Sequence, residues 1–208
     1  MAGGRLFASS GQYAKSTLNE IDPTTGDVLR SVPLDRQYFG EGLAAVDDRL
    51  IQLTWQERTA LVYRAADFTE IGSFSYDTEG WGLCDDGDRL VMSDGTSTLF
   101  FRDRNTFEVL ATVEVTNGGE PVAGLNELEC VDGQVYANVY PTDGIVRLDP
   151  SSGRVTAEID ASGLLTPDEE EDAEVLNGIA YDAAAGTFLL TGKYWPALFE
   201  VRFVEATR

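Results

Sequence analysis

The chain contains no histidine, only two cysteines (Cys84 and Cys130) and only two lysines (Lys15 and Lys193). Without an imidazole, neither a Ser-His-Asp nor a Cys-His constellation can be assembled, and an ordinary zinc site lacks ligands. Any proton carrier must then be a carboxylate, a lysine or a tyrosine. The cysteines are 46 positions apart with no spacing motif. They are therefore read as small core residues rather than as a disulfide or a redox pair, and say little about compartment.

Positive charge and long apolar runs are scarce too. Fifteen Lys and Arg against 36 Asp and Glu leave a net charge of −21, which repels phosphate backbones and anionic lipid. Nucleic-acid and membrane-surface partners are thereby disfavoured, and neutral or cationic ones favoured. No stretch approaches the ~20 apolar residues of a membrane span. The opening "MAGGRLFASS" has neither the basic head nor the apolar centre of a secretory signal. A dense acidic run, "PDEEEDAE" over Pro167 to Glu174, is read as a solvated loop rather than a cation site. The 208 residues suit one domain with a sizeable core, residues 1–208.

What is present is a repeat. "RLFASSG" from Arg5, "RLIQLTW" from Arg49, "RLVMSDG" from Arg89, "QVYANVY" from Gln134 and "TFLLTGK" from Thr187 share an apolar pair, a small or polar stretch and a special seventh residue. The intervals are 44, 40, 45 and 53 residues. After each anchor comes a second apolar stretch. In the first four units a turn such as "PTTGD" or "PSSGR" and a third stretch such as "VLRSVPL" or "VTAEID" then follow. Before four anchors lies one more short strand: "GLAAVDD", "GLCDDGD", "LECVDG" and "IAYDAAAG". Four strands per unit and five units predict an all-β, five-bladed propeller. The first unit lacks its inner strand and the fifth its closing outer strand, so a truncated start is expected, with an open sheet edge between those blades.

In a propeller, the starts of the inner strands and the ends of their neighbours gather at one mouth. The alignment sends there Phe39, Gly40 and Glu41 of "FGEG", Glu79 and Trp81 of "EGWG", Asn126 of "LNELE" and Asn177 of "LNGIA". The seventh places add Gly11, Trp55, Gly95, Tyr140 and Lys193. One carboxylate between glycines, aromatic walls, amides and a lysine make a plausible reaction site, because apolar walls raise a carboxyl's pKa and amides steady an oxyanion. The glycines beside Glu41 are expected to turn the backbone inward and leave room for a small substrate.

The motifs "YFGEGL", "LTW", "GWGL", "MSDGTSTLFFRD", "LNELE", "ANV", "LDPSSGRV", "LNGIAYD" and "TGKYWP", in this order, resemble the plant and bacterial glutaminyl-peptide cyclotransferases, a five-bladed propeller family. The resemblance runs from about Ser10 to Val201. It implies an aminoacyl-type acyltransferase that cyclises N-terminal glutamine of peptides or proteins to pyroglutamate with release of ammonia. Glu41 would be the acid/base, Asn126 would hold the carbonyl oxygen or amide, and Lys193 would supply positive charge. Trp55 and Trp81, with Phe39, Tyr140 and Asn177, would enclose the glutamine. No metal or organic cofactor is implied, and a monomer is expected. Tyr140 stands where the family has tryptophan, and the family's N-terminal segment, carrying an aromatic and a glutamine, is absent. Secretion or a periplasmic location is expected if the start is truncated, and a cytoplasmic one otherwise. A calcium-dependent lactonase would need several carboxylates on one cation where the ring offers a single well-placed Glu. The alternative is a non-catalytic peptide-binding propeller, in which Glu41 only pairs with an amine.

Overall fold

The structure, a computed structural model, describes residue 1 and residues 3–206. Its strands form five sheets that follow one another along the chain, antiparallel except for one short pair in the fourth. Blade one is β1 (Leu6–Ser10), β2 (Thr17–Ile21) and β3 (Val28–Pro33), and blade two is β4 (Gly40–Val46), β5 (Arg49–Thr54), β6 (Thr59–Arg64) and β7 (Glu70–Ser75). Blade three is β8 (Leu83–Asp85), β9 (Leu90–Ser93), β10 (Thr98–Arg102) and β11 (Val109–Glu114). Blade four holds the short hairpin β12 (Thr116–Asn117) and β13 (Glu120–Pro121), then β14 (Leu125–Val131), β15 (Gln134–Val139), β16 (Gly144–Asp149) and β17 (Arg154–Asp160). A single helical turn, α1 (Pro167–Glu170), leads to blade five: β18 (Leu176–Asp182), β19 (Thr187–Gly192) and β20 (Phe199–Val201). The result is a five-bladed β-propeller. Blade one begins at the second-strand position and blade five ends at the third, as the repeat alignment predicts.

The outer hairpins share one device. Asp22, Asp67, Asp103 and Asp149 each accept the backbone N–H two residues on, from Thr24, Thr69, Asn105 and Ser151, at 2.8 to 3.0 Å. A short carboxylate closing such a turn fixes where one strand stops and the next starts. Packing then works between neighbouring sheets. Leu18, Leu50 and Phe68 fill the space between blades one and two, and Val46, Leu53, Met92 and Phe107 that between two and three. Val91, Leu99, Leu125 and Leu148 join three to four, and Ile145, Leu176, Phe188 and Leu190 join four to five. Near-continuous burial along the central strands, as over Leu50–Thr54 and Leu90–Ser93, supplies faces on both sides of a blade, as two-sided packing requires.

Three features differ from the sequence reading. The cysteines are not free core thiols: Cys84 and Cys130 form a disulfide with a Cα–Cα distance of 5.6 Å. They stand on β8 and β14, the inner strands of adjacent blades, so the 46-residue separation is one turn of the repeat. The hairpin β12–β13 is an insertion that the four-strand unit does not contain. Its turn is built on Gly118 and Gly119 with φ of +61° and +97°, and its first strand pairs in parallel with the start of β17.

The glycines near Glu41 are the third. A Cβ on Gly42 would lie 2.6 to 2.7 Å from the backbone of Gly82 and Leu83, and one on Gly40 would lie 2.9 Å from Nε2 of Gln52. A Cβ on Gly82 would collide with the carbonyl of Asn126. Gly42 and Gly82 let inner strands approach each other, and Gly40 makes room for the Gln52 side chain and the end of β1; the space is taken by the protein rather than cleared for a ligand. Gly82→Ala is therefore expected to cost about 1–3 kcal/mol of stability through overpacking, read as a lower denaturation midpoint with an unchanged slope.

Candidate active site

One irregularity recurs in three inner strands. The register slips between Gly40 and Leu43, between Leu125 and Leu128, and between Leu176 and Ile179. The bulges fall at the same place of the repeat and carry Glu41, Asn126 and Asn177, while Trp81 takes the matching place just before β8. Bulges re-aim side chains at strand ends and recur near functional sites. Across the blade boundary, the Gly42 N–H donates to the Trp81 carbonyl at 2.7 Å, tying the Glu41 turn to the Trp81 turn.

The seventh places are fixed equally regularly. The N–H groups of Trp55, Tyr140 and Lys193 donate to the carbonyls of Phe39, Gly124 and Val175, at 3.0, 2.8 and 2.9 Å. Each bond pins the end of a second strand to the segment entering its own inner strand. Where that place is glycine, a neighbouring ring uses the room: a Cβ on Gly95 would lie 2.7 Å from the Trp81 indole, and one on Gly11 would overlap Phe39.

The aromatic residues form two contacting groups. Phe39 meets Tyr13 edge-on at 5.3 Å between centroids and Trp55 at 5.8 Å, and Trp81 meets Tyr140 at 5.6 Å. The Lys193 ammonium lies 5.9 Å from the Phe39 ring centre and 3.5 Å from a carboxylate oxygen of Glu174. Glu174 also donates its backbone N–H to the Lys193 carbonyl at 2.8 Å, and its own carbonyl accepts the Trp195 indole N–H at 2.9 Å. The acidic run is thus not wholly a solvated loop. Its first residues form α1, capped by Glu169 on Thr166, and its last residue reaches Lys193.

Burial pushes the Glu41 carboxyl up to about 8, against the opposing pull of Lys193 and with help from the negative charges of Glu79 and Glu57. Glu127, on the same stretch of channel wall as Asn126, is held well above the ordinary carboxylate range by burial first and then by the charges of Glu41 and Glu129. Asn126 is only 6% exposed, and its side-chain oxygen has no hydrogen-bond partner among the described residues. An orphaned buried acceptor is costly and calls for a donor. The Asn177 oxygen, by contrast, is engaged by the Glu127 N–H at 3.4 Å, so it supports β14 more than it faces an open wall. A cavity of about 140 Å³ lies farther down the channel, lined by Leu43, Leu83, Cys84 and Glu129 among others. It contains none of the mouth residues.

The structure thus couples Glu41 electrostatically to Lys193 and draws Phe39 to both Trp55 and Lys193. Tyr140 stands at the rim, 45% exposed. Sequence reasoning gave no task to four further residues. Glu79 accepts both mouth indoles. Glu57 accepts the Tyr13 hydroxyl at 2.9 Å and the Phe39 N–H at 3.2 Å. The fourth, Glu127, sits one position past Asn126. Glu79 lies two places before Trp81 in "EGWG"; Tyr13 and Glu57 are 44 residues apart, the interval between the first two repeat anchors, while the Glu57 contact with Phe39 stays within blade two.

Fold and mouth together place the chain among propellers that carry a high-pKa carboxyl at one end of the channel, walled by indoles and amides. More narrowly, it belongs to the glutamine cyclotransferase family, whose family model matches residues 1–203. It is 37% identical over 206 residues to the glutaminyl-peptide cyclotransferase of Arabidopsis thaliana, covering 97% of this chain and 64% of that protein. The chain thus spans a little under two thirds of that relative's length. The crystal structure of Myxococcus xanthus glutaminyl cyclase superposes with a TM-score of 0.85 at 36% identity, over 96% of this chain and 86% of that one. The WD40 propeller domain of Doa1, with a TM-score of 0.56 and 11% identity over 96% of this chain and 60% of that one, shares the fold alone.

Proposed function

We propose that this propeller is a glutaminyl-peptide cyclotransferase that uses Glu41 as its proton shuttle, and the raised pKa of that carboxyl is the observation that carries the reading. The α-nitrogen of an N-terminal glutamine attacks its own side-chain carboxamide carbon. One C–N bond forms, and the bond to the departing amide nitrogen breaks. Glu41 as carboxylate takes the proton from the attacking nitrogen and passes it to the departing one, which leaves as ammonia. A peptide α-amine titrates near 7.7–8.0 and Glu41 at about 8, so the transfer is close to balanced, where acid/base catalysis works best. There is no redox change, and the substrate carries its own nucleophile.

The other side chains follow from what each offers. The unpaired Asn126 oxygen accepts an N–H of the substrate amide or amine. Lys193 offsets negative charge on Glu41 and on the carboxamide oxygen as it becomes an oxyanion. Trp55, Trp81 and Phe39 fold the side chain into a near-attack ring and exclude water. The Cys84–Cys130 disulfide supports an oxidising, extracytosolic compartment.

Ammonia release from a Gln-initiated dipeptide tests the reading. The expected kcat/KM profile is a bell centred close to pH 8, because the productive complex needs one proton shared between an amine and a carboxyl of similar pKa. Binding without ammonia release would leave a peptide-binding propeller instead. A maximum near pH 5 would remove Glu41 from its role.

A further inference from the structure

Glu79 lies in the turn before β8 and joins two blades through its side chain. One carboxylate oxygen accepts the indole N–H of Trp55 at 2.8 Å and that of Trp81 at 3.0 Å, and the other accepts Nε2 of Gln56 at 3.2 Å. Trp55 comes from the end of β5 in blade two, and Trp81 from the entry to blade three. The backbone is fixed beside them, with the Gly80 N–H on the Trp55 carbonyl at 3.0 Å and the Thr78 hydroxyl on the Glu79 carbonyl at 2.9 Å. Hydrogen bonds from Trp81, and then from Trp55 and Gln56, hold the carboxyl below its ordinary range despite its burial. It is therefore ionised, and charge-assisted bonds of this kind are the strong ones.

An indole on a strand end can swing about its side-chain torsions. Two indoles sharing one charged acceptor cannot swing independently. We infer that Glu79 is a positioning residue that locks Trp55 and Trp81 into one wall and so sets the width of the slot between blades two and three. That the slot takes a glutamine side chain rests on the cyclotransferase reading; the lock itself does not. With its oxygens occupied by N–H donors, Glu79 differs in task from Glu41, which accepts no such bond among the described residues.

The test uses the fact that the protein has three tryptophans. In a ¹⁵N-indole spectrum, Glu79→Ala is expected to move the Trp55 and Trp81 resonances and to leave that of Trp195, whose N–H goes to the Glu174 carbonyl. With a Gln-initiated dipeptide, KM should rise about tenfold or more, with a smaller change in kcat. Glu79→Gln keeps an oxygen able to accept both indoles, so it should restore both resonances and bring KM back to within about threefold of the parent. Unmoved indole resonances in Glu79→Ala would overturn the lock. So would a Glu79→Gln variant with native resonances and the raised KM of Glu79→Ala, since charge and not position would then matter. Should Glu79→Ala fail to fold, Glu79→Asp decides: its shorter arm keeps the charge but cannot span both rings, so an unchanged spectrum and KM would count against the inference. A parent protein that releases no ammonia defeats the cyclotransferase reading, while the indole spectrum still decides the lock.

Discussion

Glu41→Gln is expected to abolish cyclisation and at the same time make the folded protein harder to unfold at pH 8. Both effects come from one property. The carboxyl titrates at about 8 in the fold because burial disfavours its anion, whereas in the unfolded chain it titrates near 4.3. Below about pH 4 both states are protonated, and the group contributes nothing to the pH dependence of stability. Between about 4 and 8 the unfolded chain releases a proton that the folded one keeps, so stability falls by up to ~1.4 kcal/mol per pH unit. Above 8 the full penalty is present. Since the group is partly open at the mouth, solvent reduces the loss to about 2 kcal/mol. Glutamine has the same shape and no charge to desolvate, so it recovers most of this. For a chain of this size that is a rise in melting temperature of about 4–8 °C at pH 8, vanishing at pH 4.

Catalysis should move the other way. A carboxamide cannot accept and return a proton, and removing a general acid/base costs on the order of 10²–10⁴ in rate. Melting curves at pH 4 and pH 8, with ammonia release at pH 8, read both limbs. Turnover equal to the parent's would end the shuttle role, and a lower melting temperature at pH 8 would show that the carboxylate is held by the fold rather than penalised by it. The combination separates Glu41 from a structural residue, whose loss lowers stability and activity together.

The propeller was legible because its information is local and periodic. An apolar pair such as Leu50–Ile51 or Leu90–Val91, with a special residue at the seventh place of its pattern, recurs at every blade, and repetition multiplies a weak strand signal. The mouth was legible for the same reason: Glu41, Trp81, Asn126 and Asn177 occupy one position of the unit, and unusual residue types at a shared position stand out. What the period does not carry was lost. The lock of Glu79 on two indoles crosses a blade boundary through side chains. The glycines flanking Glu41 read as room for a ligand, whereas Gly42 answers to the backbone of the next inner strand and Gly40 to the Gln52 side chain and the end of β1. The β12–β13 hairpin carries an Asn-Gly-Gly turn signal, but its parallel pairing with β17 breaks the repeat. The cysteines were misread because 46 residues looks like no motif, although it is close to the repeat interval.

That disulfide carries the second large expectation. Replacing both Cys84 and Cys130 by serine should destabilise the protein by about 4 kcal/mol, the loop-closure entropy that a bridge across some 46 residues removes from the unfolded chain. The melting temperature would fall by about 8–16 °C. The effect is large here for a topological reason. Blades pack on their neighbours mainly through apolar faces, and the bridge couples blades three and four at their inner strands, Cys84 beside Val91 on β9 and Cys130 beside Val135 on β15. The bonded mouth residues stand at the start of those strands, so kcat at 25 °C is expected to stay within about twofold of the parent while the native state persists. Alkylation without reduction should label neither cysteine of the parent, and reduction before alkylation should label both and reproduce the serine variant's melting curve. A double-serine variant that melts with the parent would show that the interface between blades three and four already restricts the chain as much as the covalent bond does.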